Sequence, residues 1–234
     1  MPHARLERIL ITNDDGIDAP GLAALEAVAH ELADEVWVVA PDHDQSGIST
    51  AISIHHPLRV TQRGERRFSV SGTPADCVAM ALQQLLDKPP QLLLSGINKG
   101  ANLGVETLFS GTVGAAMTGL LMGVPSIALS QYFTRRSAVR WDTARTLAPG
   151  VIRQLLGKGW EQRACLNINF PDVPADDAGP IQITRQGAGR MDGVEAIDTE
   201  TQVVTQGGIS VTPLEFDRTA MPLREQLRSA LQAS

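Results

Sequence analysis

Two adjacent carboxylates close the apolar run Ile9-Leu-Ile-Thr-Asn-Asp-Asp-Gly-Ile17, and Asp14 and Asp15 are the residues from which a reaction can be argued. The run reads as a buried parallel strand. Neighbouring side chains diverge along a regular strand, so both carboxylates reach one point only if the backbone leaves strand geometry, which Gly16 permits. Carboxylates held close together repel, and a divalent cation between them removes the repulsion. A turn with a single helix-capping aspartate is the plainer reading of the same residues.

Two more apolar runs end in loops rich in oxygen donors, with Asp42, Asp44 and Ser46 in one and Asn98 and Asn102 in the other. Carboxylate, hydroxyl and amide oxygens are hard donors, which points to magnesium, manganese or calcium and away from a zinc site. Ser110-Gly111-Thr112 then precedes a helical run of small residues, Ala115, Ala116 and Gly119. A helix N-terminus offers unpaired N–H groups and a positive dipole to an anion. A dication beside such a cradle suits hydrolysis of a phosphate monoester, since both ends neutralise charge on phosphoryl oxygens. His43 suits a phosphate contact, a proton donor or a solvated loop histidine. Arg135 and Arg136 suit an anionic substrate or an ordinary surface equally well.

Elements must bring these residues together. Asp18 offers a helix cap and Pro20 a first helical residue, followed by Leu22, Leu25, Val28, Ala29 and Leu32 at helical spacing. With the strand Glu35 to Ala40, this begins a right-handed parallel βαβ unit. Alternation from Ala51 to Ser71 around Arg63-Gly64 predicts an inserted hairpin whose charges Arg63, Glu65, Arg66 and Arg67 form a solvated tip. Thr73-Pro74 opens a helix that runs to Leu85. Strands follow at Gln91 to Ser95, Val124 to Ser130 and Cys165 to Asn169, with a helix from Trp141 to Leu156. Loops at the carboxyl ends of parallel strands converge on one crevice, which is where the oxygen donors would meet.

After Asp172 the apolar runs shorten. Gln202-Val-Val204 and Ile209-Ser-Val-Thr212 flank Gln206-Gly-Gly208 as a hairpin, and a last helix from Met221 to Leu231 lines Leu223, Leu227 and Leu231 on one face. The division expected is a core over 1–171 and an extension over 172–234 that packs on a partner subunit.

The 234 residues, 43% of them hydrophobic with net charge −6, suffice for one α/β domain with a full core. The absence of a basic stripe argues against a nucleic-acid polymer as partner. No apolar run approaches the ~20 residues that span a bilayer, and Met1 to Arg8 has no apolar signal core, so a cytoplasmic protein without a membrane partner is expected. Cys77 and Cys165 lie in apolar elements without metal-type spacing and read as buried free thiols.

Taken in order, these segments resemble the SurE (survival protein E) family. The resemblance rests on Ile11-Thr-Asn-Asp-Asp-Gly-Ile17 with Ala19-Pro-Gly21, then Ala40-Pro-Asp42 with Gln45-Ser-Gly47, then Gly72-Thr-Pro-Ala-Asp-Cys-Val78. It continues through Ser95-Gly-Ile-Asn-Lys-Gly-Ala-Asn-Leu-Gly104, Ser110-Gly-Thr-Val-Gly-Ala-Ala116, Leu166-Asn-Ile-Asn169 and Ser210-Val-Thr-Pro-Leu214. It implies a Rossmann-like three-layer parallel-sheet core, with an inserted hairpin and a C-terminal hairpin and helix arm for subunit contacts. It also implies a metal-dependent 5′/3′-nucleotidase that converts nucleoside monophosphates to nucleoside and phosphate, with one divalent cation, Mg2+ or Mn2+, per subunit. By the same resemblance Asp14, Asp15, Ser46 and Asn98 are the metal ligands, and Asp14 and Asp15 are catalytic. Asn98, Ser110, Gly111 and Thr112 contact the substrate phosphate.

Direct attack by metal-polarised water, oriented or deprotonated by Asp14 or Asp15, is the expected route in preference to an aspartyl-phosphate. Phe109 stands where the family commonly has tyrosine, His43 where arginine is frequent, and the stretch from Gly189 to Gly208 is shortened. A homodimer through the C-terminal arm is expected, with a tetramer left open. The competing class is a nucleotide-binding or assembly protein of the same fold that has lost turnover.

Overall fold

A computed structural model describes residues 5–160, 163–187 and 199–232. The strands are β1 (Leu6–Thr12), β2 (Ala33–Pro41), β3 (Val60–Gly64), β4 (Arg67–Val70), β5 (Leu92–Lys99), β6 (Ser126–Gln131), β7 (Ala164–Phe170), β8 (Ile181–Ile183) and β9 (Ile209–Glu215). The helices are α1 (Pro20–Leu32), α2 (Pro74–Met80), α3 (Gly111–Leu121), α4 (Trp141–Lys158), α5 (Glu200–Thr205) and α6 (Met221–Gln232). The strands form one nine-stranded sheet in the order β3-β4-β2-β1-β5-β6-β7-β9-β8. From β4 through β7 every pairing is parallel, whereas β3 joins β4 and β9 joins β7 antiparallel.

The chain winds outward from β1 to β2 and β4, then returns to β5 and winds the other way through β6 and β7. The boundary between β1 and β5 is therefore the topological switch point, and the loops leaving their carboxyl ends part to either side of a crevice. Three layers result. Ile9 and Ile11 of β1 pack among α1 and α4, while Leu10 faces the cluster that contains Cys77 and Val78 of α2 and Ala115 of α3. The unbroken burial of β1 from Arg8 to Thr12 and the buried Leu22, Leu25, Val28, Ala29 and Leu32 of α1 match the apolar run and the helical spacing read from the sequence. Cys77 and Cys165 are both buried free thiols.

Several expectations need correction. Ala19, not Asp18, occupies the α1 N-cap, and no side chain caps it, because Pro20 fixes the first helical position one residue later. The hairpin β3–β4 forms as expected, but Arg67 is no solvated tip: its guanidinium bonds Glu26 Oε2 and the Ile17 carbonyl oxygen, each at 2.6 Å. Residues Gln202 to Val204 are helical, so no second hairpin forms. Gly208 N donates to Val203 O at 2.9 Å and Gly207 N to Val204 O at 3.2 Å, the paired bonds that terminate a helix at a glycine. The Gln-Gly-Gly sequence is thus a helix C-cap, and β9 leaves it to pair with β7.

Beyond residue 171, β8 and β9 lie in the same sheet as the core, and α6 carries no buried residue. Residues 189–198, half of the shortened stretch from Gly189 to Gly208, lie outside the described residues.

Candidate active site

Asp14 and Asp15 follow the last residue of β1 at the switch point. The backbone turns there as Gly16 demands, at φ +101°, and Asn13 Nδ2 fastens the turn on the Gly16 carbonyl oxygen at 2.9 Å. Ile17 N bonds the Pro41 carbonyl oxygen at 2.8 Å, so β2 holds the far side of the turn. The carboxylates enter different surroundings. Asp14 is 3% exposed and its Oδ1 accepts the Thr112 hydroxyl at 2.5 Å. Asp15 is half-buried and its Oδ2 accepts the Lys99 amide at 3.2 Å.

Gly111 is required where it stands. A Cβ there would lie 2.8 Å from Asp14 Cβ and 3.0 Å from Asp14 Oδ2, so the first residue of α3 comes against the carboxylate only as glycine. The start of α3 and the end of β1 are thereby joined, 98 residues apart in sequence between Thr112 and Asp14. Ser110 is the α3 N-cap, its Oγ accepting from Val113 N at 3.1 Å.

The other loops arrive by backbone contacts. Gln45 N donates to the Asp14 carbonyl oxygen at 2.7 Å, which sets Ser46 beside the acidic turn. The Ser46 hydroxyl is directed to Asp44 Oδ1 at 2.6 Å. Asn98, at the end of β5, gives its amide nitrogen to the Gly100 carbonyl oxygen at 2.8 Å, leaving the amide oxygen as its donor atom. Asn102 is not a candidate ligand. It is buried with its amide nitrogen on Ser130 Oγ at 3.0 Å, and its backbone is held by Asn167 and Asn169. His43 is exposed, with Nδ1 on Asp42 Oδ1 at 2.5 Å and Nε2 beside Gln45 Nε2 at 2.6 Å. Arg135 and Arg136 are exposed on the loop after β6.

Burial raises the Asp14 carboxyl to about 6; the Thr112 hydrogen bond opposes the shift and the charge of Asp15 adds to it. Asp15 is raised as well, by burial first and by the charge of Asp44, against the amide and charge of Lys99. Among the described residues no three His, Cys, Asp or Glu side chains form a metal-type cluster. The candidate set is instead two carboxylates with neutral oxygens. Two acidic groups that both resist ionisation, flanked by hydroxyl and amide oxygens, fit a hard dication that keeps part of its water shell.

Sequence reading missed the role of Thr112, whose fully buried hydroxyl orients Asp14, and the backbone amides of Gln45 and Lys99. Backbone donors leave no sequence signal. Thr112 is named from the sequence as a phosphate contact, but its bond to Asp14 follows only once α3 is known to abut β1.

A family model described as survival protein SurE matches residues 9–193. The chain belongs to the SurE family. It is 52% identical to "5'-nucleotidase SurE 1" of Burkholderia lata over 96% of each chain. It is 44% identical to "5'-nucleotidase SurE" of Rhodospirillum rubrum over 95% of each. The crystal structure of the SurE protein from Aquifex aeolicus superposes with a TM-score of 0.85 at 31% identity, covering 95% of this chain and 99% of that one. That SurE structure thus shares the fold over nearly the whole chain.

Proposed function

We propose that this chain is a cation-dependent phosphatase that hydrolyses nucleoside monophosphates to nucleoside and phosphate, the activity named in its 5'-nucleotidase relatives. The observation that carries the reading is the acidic pair at the switch point, with Asp14 held by Thr112 at the N-terminus of α3. Asp14, Asp15, Ser46 and Asn98 would hold one Mg2+ or Mn2+, which when bound supplies Lewis acidity to water and to a phosphoryl oxygen.

The chain's own groups do the rest. The N-terminal turn of α3 at Ser110 and Gly111, with Thr112 behind it and Asn98 beside it, receives the phosphoryl oxygens as their charge grows. Asp15, the more accessible carboxylate, orients the attacking water and takes its proton, a task its raised proton affinity suits. Water oxygen bonds to phosphorus as the bond to the nucleoside oxygen breaks, and the leaving oxygen is protonated from solvent. Asp14, locked by Thr112, stays a fixed ligand.

Phosphate released from a panel of nucleoside 5′- and 3′-monophosphates, with Mn2+ or Mg2+ and with chelator, tests this. Release that depends on the cation is expected; release indifferent to chelator, or none at all, refutes it.

The reading extends to assembly. Met221, Leu223, Leu227 and Leu231 of α6 are 51, 51, 54 and 78% exposed, an apolar stripe that supports a homodimer through this arm. Two buried free thiols suit a reducing cytoplasm. Among the described residues no helix is long and apolar enough to cross a membrane.

A further inference from the structure

We propose that Glu200 is a positioning residue for the phosphate end of the site, acting through the 3-10 turn Gly104–Leu108. The inference rests on the function proposed above. Glu200 is the first residue of α5 and fully buried. A buried carboxylate is tolerated only when its oxygens are hydrogen-bonded, and here both serve the backbone. Oε1 accepts from Gly104 N at 2.7 Å and Oε2 from Gly187 N at 2.9 Å. Gln186 takes Gly104 from its carbonyl side: its Nε2 donates to Gly104 O at 2.9 Å and to Thr107 Oγ1 at 2.8 Å. Thr107 Oγ1 in turn donates to Gly104 O at 2.7 Å.

The gripped turn serves two site loops. Downstream, Phe109 N and Ser110 N donate to Glu106 O at 3.0 and 3.1 Å, so the residue that caps α3 is set directly by the turn. Laterally, Ser49 N donates to Phe109 O at 2.9 Å and Ser49 Oγ to Leu108 O at 2.7 Å, which anchors the loop bearing Ser46. Asp15 touches neither contact, and both carboxylates extend from β1, which is paired on both sides inside the sheet; Asp14 alone also meets the start of α3, through the Thr112 hydroxyl, and the second loop, through Gln45 N. Glu200 therefore acts first on where the α3 cap and the second loop stand, and reaches Asp14 only through them, while β1 sets the backbone of both carboxylates.

That division defines the test. Glu200→Gln keeps the side-chain volume but turns one acceptor into an NH2 group facing an N–H donor, so one of the two bonds is lost whichever way the amide lies. In the Mn2+-loaded enzyme, kcat/KM for a nucleoside monophosphate and affinity for inorganic phosphate should each fall about tenfold or more. Mn2+ affinity by calorimetry should fall much less than phosphate affinity, because Ser46 alone of the four proposed ligands stands on a loop that the turn anchors. Amide exchange should quicken from Gly104 to Ser110 and stay unchanged in β1.

Gln186→Ala should show the same pattern more weakly, and it carries the test if Glu200→Gln does not fold. Ile152→Val, a core change remote from the turn, controls for lost stability. Unchanged phosphate affinity and unchanged exchange at Gly104–Ser110, or the same pattern in Ile152→Val, would overturn the inference. If the wild type cleaves no monophosphate, the proposed function fails, while phosphate affinity and exchange still decide the role of Glu200.

Discussion

Asp14 is held by a hydroxyl, a turn and a helix end, and its carboxyl is raised to about 6, first by burial and then by the charge of Asp15. The folded-state value lies above the ordinary 3.8, so the group favours folding at the acid end and that contribution is lost as pH rises through about 6. Two outcomes follow at this residue. Cation binding must displace a proton from Asp14 below about pH 6, so Mn2+ affinity measured by calorimetry should weaken as pH falls through that value. Asp14→Asn removes the charge without removing the shape. The variant should stay folded, lose turnover by about 100-fold or more, and, without cation, melt with less pH dependence than the wild type between pH 4 and 7. A Mn2+ affinity flat across that range would contradict the assignment of Asp14 as a ligand.

α3 and β1 meet through Gly111, and the contact is the least forgiving in the site. Gly111→Ala places a methyl group 2.8 Å from Asp14 Cβ, so either the helix end retreats or the carboxylate turns away. Turnover should fall by about 100-fold, and the melting temperature should fall as well, because Gly111 is buried at the start of α3 and the added methyl overpacks that contact; full activity in this variant would show that the close approach is not needed. The sequence announced many of these elements. β1 and β2 are compact apolar runs, α1 carries helical spacing, and Pro20 and Thr73 mark helix starts. The segment from Glu200 to Gly208 was misread because its cues are ambiguous: two adjacent valines favour a strand, and Gln-Gly-Gly closes a hairpin or a helix equally well. What settles it is distant, since Glu200 bonds Gly104, 96 residues away, and only the folded sheet brings them together. Arg67 was misjudged for the same reason, its partner Glu26 lying on α1.

Across the whole molecule the sheet reverses its winding between β1 and β5, and that reversal gathers the acidic turn, the loop after β2 and the end of β5. The site is thus a property of topology, and the SurE structure that superposes at a TM-score of 0.85 has the same overall fold. Beyond β9, α6 leaves Leu223, Leu227 and Leu231 exposed, the stripe proposed above as a subunit contact. Leu223→Asp with Leu227→Asp should convert a dimer to a monomer by light scattering, and an unchanged mass would remove α6 from the interface. A crystal soaked in Mn2+ should give one strong anomalous peak between the Asp14 and Asp15 carboxylates, within bonding distance of Ser46 and Asn98 oxygens. No peak at saturating Mn2+, or a peak that excludes both aspartates, would contradict the proposed cation site.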